Sequence, residues 1–154
     1  MKNLEPYTVI VLFGEMGAGK NYWGSYLAKR HDVPFFDGDD VITPEMAERV
    51  SKFQALTPEI IGAYIEDLIY DISYRATEKG LIVAQALYSD DNRKLIYSLL
   101  TQQGFNVQFY WIKTSFWRNL KQLFSRPRGL RWIVYWLMNK PYFEKPTHDY
   151  MVIC

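Results

Sequence analysis

Residues 14–21 read Gly-Glu-Met-Gly-Ala-Gly-Lys-Asn and follow directly on the apolar run Thr8-Val-Ile-Val-Leu-Phe13. No other stretch constrains the fold of this chain as strongly. It meets the phosphate-loop pattern G-x-x-x-x-G-K throughout and departs only at the next residue, Asn21, where Ser or Thr is expected. The chemistry calls for those residue types. Glycines let consecutive backbone N–H groups turn inward on anionic oxygens, and the helix that follows adds its positive N-terminal end. Strand, loop and helix occur here in the required order, which favours this reading over a glycine-rich turn with a solvated lysine. Gly14, Glu15, Met16, Gly17, Ala18, Gly19, Lys20 and Asn21 are therefore expected to hold the phosphates of a nucleoside triphosphate, with Lys20 reaching the terminal ones.

A chain of 154 residues, 49% of them apolar, is expected to form one domain, 1–154, with a core of useful size. Its net charge of +1 gives no reason to invoke nucleic acid or an acidic membrane. Cys154 is the only cysteine, so no internal disulfide can form and a reducing compartment fits. Met1 to Tyr7 lacks the features of a secretory leader, and Val9–Phe13 and Trp132–Met138 are too short to span a bilayer. The expected setting is the cytoplasm. His31 and His148 lack metal-ligand spacing, so no zinc site is expected.

Short apolar runs alternate with helix-period segments, which indicates an α/β fold: a three-layer sandwich around a mainly parallel five-stranded sheet. Strands are predicted near 7–13, 33–37, 81–84, 107–112 and 150–154. A first helix over 19–31 is expected to turn Trp23, Tyr26 and Leu27 inward. Thr43-Pro44 and Thr57-Pro58 each pair a capping hydroxyl with proline at the first helical position. The second opens a long helix with an apolar stripe from Ile60 to Ile72, expected to end at Gly80. Ser89 or Asp90 caps a further helix carrying Leu95, Ile96, Leu99 and Leu100 inward, with Gly104 as its stop. A helix over 115–124 meets the broken basic segment Ser125-Arg-Pro-Arg-Gly129, and another helix covers 130–139.

Ligands of open parallel sheets bind beyond the carboxyl ends of the strands. There the first strand delivers the phosphate loop, the second Asp37-Gly38-Asp39-Asp40, and the third Gln85, while Arg126 and Arg128 follow the helix after the fourth. Three carboxylates in four residues repel unless a cation or donors offset them. One of Asp37 and Asp39 could hold Mg²⁺, usually through water, and the other could accept a proton from a substrate hydroxyl.

GEMGAGK, VPFFDGDD, Ala84-Gln-Ala-Leu87 with Arg93, and Arg126-Pro-Arg128 together resemble the small P-loop carbohydrate kinases, the gluconate kinases first and the shikimate kinases next. The resemblance implies that Asp37 and Asn21 support the metal and that Asp39 binds and deprotonates the acceptor hydroxyl. It implies that Gln85 and Arg93 contact an anionic substrate, and that Arg126 and Arg128 act from a lid over residues 125–140. It also implies a further C-terminal element beyond Cys154, or an atypical nucleotide-base site. Val41-Ile-Thr-Pro44 stands where gluconate kinases usually carry His-Pro.

The expected activity is transfer of the γ-phosphoryl group of ATP, with Mg²⁺, to a hydroxyl of a small anionic sugar acid or polyol. A small molecule is the expected partner, with no nucleic acid and no membrane span, and a homodimer stays open. The alternative is a nucleotide-binding module with little or no transferase activity because of Asn21. A third reading takes Arg131 to Lys140, basic at its ends and apolar within, as a membrane-surface or partner-binding patch built on Trp132 and Trp136.

Overall fold

The computed structural model describes residues 4–147 and 151–153. The elements run β1 (Thr8–Phe13), α1 (Lys20–His31), β2 (Phe35–Asp37), α2 (Pro44–Ser51), α3 (Pro58–Arg75), β3 (Leu81–Gln85), α4 (Asp90–Gln102), β4 (Asn106–Ile112), α5 (Phe116–Phe124), α6 (Gly129–Asn139) and β5 (Met151–Ile153), with a 3-10 turn at Gly38–Val41 after β2. Every strand pairing is parallel, in the order β2-β3-β1-β4-β5. Tyr150 and Cys154, expected in the last strand, and His148 lie outside the described residues. Among the described residues no helix is long and apolar enough to cross a membrane.

β1 is apolar from Val9 to Phe13 because both of its faces are covered, as befits a parallel sheet. Val9, Val11 and Phe13 pack with Leu81 and Val83 of β3 against α3 and α4. Ile10 and Leu12 pack with Ile82, Ala84 and Leu27 on the opposite face, under α1. The α3 stripe is as expected: Tyr64, Ile65, Leu68, Ile69 and Ile72 are all buried. Each such side chain contributes roughly 1.5–3 kcal/mol on leaving water. Both threonine caps form, Thr43 Oγ1 accepting from Met46 N and Thr57 Oγ1 from Ile60 N.

Three local expectations are corrected. α1 buries Gly24, Leu27 and Ala28 and turns Tyr26 outward, because a Cβ on Gly24 would lie 2.3 Å from the Phe35 ring. The helix thus approaches the sheet on its small residues. α3 ends at Arg75, since Ala76 has extended backbone and a tight turn from Thr77 to Gly80 follows. In α4 Leu95 is exposed, and the buried side chains are Asp90, Arg93, Ile96 and Leu100.

The burial of Arg93 matters most. Its guanidinium donates to the carbonyl oxygens of Leu87 (2.5 Å), Tyr88 (3.2 Å) and Glu144 (2.7 Å) and to Asp90 Oδ1 (3.0 Å). It also lies over the rings of Phe13 and Phe143. Asp90 in turn accepts from Thr147 Oγ1 (2.6 Å) and pairs with Lys94 (2.9 Å), while Glu144 Oε2 accepts from Asp90 N (2.5 Å). Residues 143–147 are fastened to the start of α4 by this cluster. Arg93, expected to contact substrate, is instead wholly enclosed and bound to protein groups. Burial would raise the Asp90 pKa, but hydrogen bonds from Thr147, Lys94 and Arg93 outweigh it and hold the carboxyl below its usual range. A depressed carboxyl stabilises the fold above its unfolded pKa, and that stabilisation is lost as acid passes the folded pKa.

Arg93→Ala should therefore cost about 3–5 kcal/mol in urea unfolding, because it breaks a buried ion pair and leaves the Asp90 carboxyl only half-exposed Lys94 and the Thr147 hydroxyl as partners. Arg93→Ala should also unfold at a higher pH than the native chain in an acid titration followed by circular dichroism. Native-like stability would mean that the cluster is dispensable.

Candidate active site

The site lies at the carboxyl edge of the sheet, where β1, β2 and β3 end beside the first turn of α1. Two loop glycines are dictated by close approach. Gly17 has φ 80°, and a Cβ there would fall 2.2 Å from Asn119 Oδ1 and 2.8 Å from Leu123 Cγ. A Cβ on Gly14 would fall 2.5 Å from the Ile112 carbonyl oxygen at the end of β4. The loop is thus wedged between β4 and α5 and runs into the α1 N-terminus, with the Met16 N–H taken by the Tyr88 hydroxyl and the Ala18 N–H by the Glu15 carbonyl.

Lys20 crosses the loop, its ammonium donating to the carbonyl oxygens of Gly14 (3.2 Å) and Glu15 (2.9 Å). Enclosure lowers its pKa to about 8. Asp39, Asp37 and Glu15 oppose that shift, and Arg126 adds to it. This lysine has carbonyl dipoles but no counter-ion in contact among the described residues, and an anion on the loop would supply one.

Asn21, in the first turn of α1, donates its amide to Asp37 Oδ2 at the end of β2. Asp37 Oδ1 accepts from the Asp39 backbone N–H (3.1 Å), which starts the 3-10 turn and lifts Asp39 toward the loop. Asp39 is exposed as a residue, yet its carboxyl loses hydration against neighbouring groups; that desolvation, then the charge of Asp37, raises its pKa, while Lys20, Gln85 and Arg126 pull it down. Asp37, Asp39, Lys20 and Arg126 thus act on one another. No cluster of three or more His, Cys, Asp or Glu with metal-binding geometry occurs among the described residues. The donors present, one carboxylate and one carboxamide beside the loop, fit Mg²⁺, which keeps several waters and takes few protein ligands.

Gln85, expected to touch substrate, is buried and spends its amide on the protein. It donates to the Tyr64 hydroxyl and to Asp39, and its oxygen accepts from Ala86 N. The Tyr64 hydroxyl itself donates a hydrogen bond to the Gly38 carbonyl (3.1 Å), so α3 braces the carboxylate turn both directly and through Gln85. Arg126 is exposed and near enough to bias both Lys20 and Asp39. Arg128 is exposed too, but it occupies the left-handed residue (φ 59°) before α6 and is not among the charges acting on either group. The structure brings Arg126 to the site and leaves Arg128 at the turn.

Sequence reasoning missed the clamp on the loop. Trp136 is wholly buried and its indole N–H donates to Glu15 Oε2 (2.6 Å), with Lys140 Nζ 3.9 Å from the same oxygen. The Tyr88 hydroxyl accepts from Met16 N (3.2 Å), and burial pushes that phenol up to about 12. At the far end of α6, Arg131 donates to the Ser51 carbonyl and lies over Phe53, which packs on Tyr135. The α5–α6 hairpin therefore bridges the loop and the end of α2. The burial of Trp136 and the half-burial of Trp132 overturn the reading of those two rings as a surface patch.

No protein-family profile matches the chain. It is 29% identical over 120 residues to the shikimate kinase of Burkholderia pseudomallei, covering 74% of this chain and 64% of that one. It is 29% identical over 105 residues to the thermosensitive gluconokinase of Escherichia coli K12, covering 66% and 53% respectively. The chain thus spans just under two thirds of the shikimate kinase and about half of the gluconokinase. Among solved structures, a gluconokinase from Sinorhizobium meliloti superposes with TM-score 0.74 at 17% identity, covering 97% of this chain and 82% of that one. The Mycobacterium tuberculosis APS kinase, crystallised with AMPPNP and APS, gives TM-score 0.70 at 12% identity, with 97% and 89% covered. The chain has the fold of the P-loop small-molecule kinases and is similar in sequence to shikimate kinase and gluconokinase.

Proposed function

We propose that this protein transfers the γ-phosphoryl group of ATP to a hydroxyl of a small, anionic sugar acid or polyol. The observation that supports it most is the convergence of Lys20, Asp39 and Arg126 at the mouth of a glycine loop, each biasing the charge of the next. Such transfer is mostly positioning and charge stabilisation. Loop amides and the α1 N-terminus receive the phosphates, and Lys20 exchanges the carbonyls of Gly14 and Glu15 for phosphate oxygens. Arg126 offsets charge that builds on the transferred group from a lid formed by α5 and α6, with Arg128 at its turn. Asp39 orients the acceptor hydroxyl and takes its proton as the new O–P bond forms and the bond to the bridging oxygen of ADP breaks. Mg²⁺, when bound, supplies further neutralisation of the phosphates, and Asn21 and Asp37 are the residues that would hold it. The expected site is cytoplasmic and the unit one domain.

One observation favours the second reading, a nucleotide-binding module with little transfer. The Asn21 amide already occupies Asp37 Oδ2, joining α1 to β2 by a direct hydrogen bond. ATP affinity and turnover, each measured with and without Mg²⁺ against a panel of sugar acids and shikimate, separate the two. Turnover that requires the metal supports the kinase, and metal-independent binding with no turnover supports the module.

Lys20 gives a test of triphosphate binding alone. Its pKa near 8 means that the free protein loses this proton above about pH 8, whereas neighbouring phosphates favour the charged form. Between pH 8 and 9, ATP binding should therefore take up a fraction of a proton, seen by calorimetry in buffers of different ionisation enthalpy. Lys20→Ala should remove that uptake and weaken binding while leaving the thermal transition near its native value. Uptake that persists in the variant would exclude Lys20 as its source.

Asp39→Asn should lower turnover by about 10²–10⁴-fold, the usual range for a general base, with a much smaller change in ATP affinity. Because the Asp39 pKa is raised, the acid limb of the native rate profile should lie above the ordinary carboxylate range and vanish in the variant. An unchanged limb in Asp39→Asn would assign it to another group.

Asn21→Ser should lower the Mg²⁺ concentration needed for half-maximal activity, since serine restores a short hydroxyl ligand and frees Asp37 from its amide partner. Superimposable Mg²⁺ titrations would place residue 21 away from the metal.

A further inference from the structure

We propose that the outer face of the α5–α6 hairpin docks on an anionic lipid bilayer. The charge distribution is the first observation. Residues 113–140 hold seven Lys and Arg and no Asp or Glu, leaving eleven cations against seventeen carboxylates, a net −6, on the rest of the chain. Part of that basic charge faces inward: Arg126 reaches the site, Arg131 reaches Ser51, and Lys140 lies by Glu15. Arg118, Lys121 and Arg128 are exposed and form no ion pair among the described residues.

The second observation is what lies between those cations. On α5, Trp117 is 75% exposed and Phe124 70%, seven residues apart on one face with Lys121 between them. On α6, Leu130 (71% exposed), Val134, Leu137 and Met138 follow helical spacing along the outward side. The two stripes meet at the turn, where Phe124 and Leu130 line one open depression with Arg128 and Arg131. The inner faces of the same helices hold the buried Leu123, Ile133 and Trp136, so the outward residues are surplus to the core. An apolar strip flanked by unpaired cations is the pattern of interfacial helices, whose rings and aliphatic chains enter the acyl boundary while Lys and Arg meet acidic headgroups.

Lipid fits better than nucleic acid because four of the seven exposed apolar side chains of the hairpin are aliphatic or thioether, which neither stack on bases nor pair with phosphate. A second copy of this chain, joined through its acidic remainder, would satisfy the charge but would leave the apolar strip against carboxylates. Docking needs no turnover, so this proposal stands apart from the kinase reading.

The test is flotation of the full chain with vesicles of phosphatidylcholine alone and of phosphatidylcholine with phosphatidylserine. The expected result is binding to the serine-lipid vesicles only, weakened by salt. The Trp117→Ser, Phe124→Ser, Leu137→Ser triple variant should lose at least about tenfold in partitioning, as burial of its apolar groups is removed. Arg118→Glu, Lys121→Glu should lose more than roughly fivefold per cation, the worth of one Lys or Arg near such a surface. Both variants alter exposed positions only, and the charge variant keeps every apolar residue, so a folding defect in the triple variant leaves the second arm decisive. Trp117 emission should shift to the blue on the anionic vesicles, and Trp117→Phe should remove that shift. No flotation with serine-lipid vesicles, or full binding by the charge variant, overturns the proposal. So does a concentration-dependent dimer that the substitutions dissolve while vesicle binding is unaffected.

Discussion

β1 is paired on both sides and covered on both faces, and most of the molecule follows from that confinement. Its backbone groups are taken by β3 and β4, and its side chains alternate between the α3–α4 layer and the α1 layer. A strand so enclosed can neither slip nor tilt without exposing a whole face of apolar residues. The loop that leaves it is therefore delivered to a fixed place, beside the ends of β2 and β3. That rigidity makes the two close glycine contacts possible, because a loop on a mobile support could not lie within touching distance of both Ile112 and Asn119.

Much of this was legible in the sequence, for identifiable reasons. The apolar run into the glycine loop has few alternatives, and the two Thr-Pro starts carry their own capping chemistry. What could not be read depends on contacts between distant segments. Arg93 sits three residues after Asp90 on α4, a spacing that hints at a pair, but the Glu144 carbonyl that completes its shell lies 51 residues further on. Tyr64 belongs to an apolar stripe and looks like core until its hydroxyl is seen between Gln85 and Gly38. Trp136 poses the same difficulty. Its ring is core, while the single polar atom on it reaches the loop. On α1 the usual rule inverts, since Gly24 and Ala28 face the sheet and the larger Tyr26 does not.

The site is electrostatically tense. Lys20 is half-buried with no contacting counter-ion among the described residues, Asp39 stands close to Asp37, and Arg126 acts on both Lys20 and Asp39. The two cations, Lys20 and Arg126, repel in the free protein and are relieved once phosphate charge is present, while the repulsion between Asp37 and Asp39 is offset by those same cations. The braces around them are hydrogen bonds from uncharged donors: Gln85 to Tyr64, Met16 N–H to Tyr88, and the Trp136 indole to the Glu15 carboxylate. These braces hold the loop and the carboxylate turn apart, which keeps the charged groups from collapsing onto one another.

The Arg93 cluster has a consequence for how the chain reaches this state. Joining residue 93 to residue 144 closes a loop of about fifty residues, at an entropic cost of about 3.5 kcal/mol from an open chain. That cost shrinks once β4 has docked beside β1 and shortened the free segment. The ion cluster is therefore a late event in folding, a lock applied to a sheet already assembled, and not a nucleus around which the sheet forms.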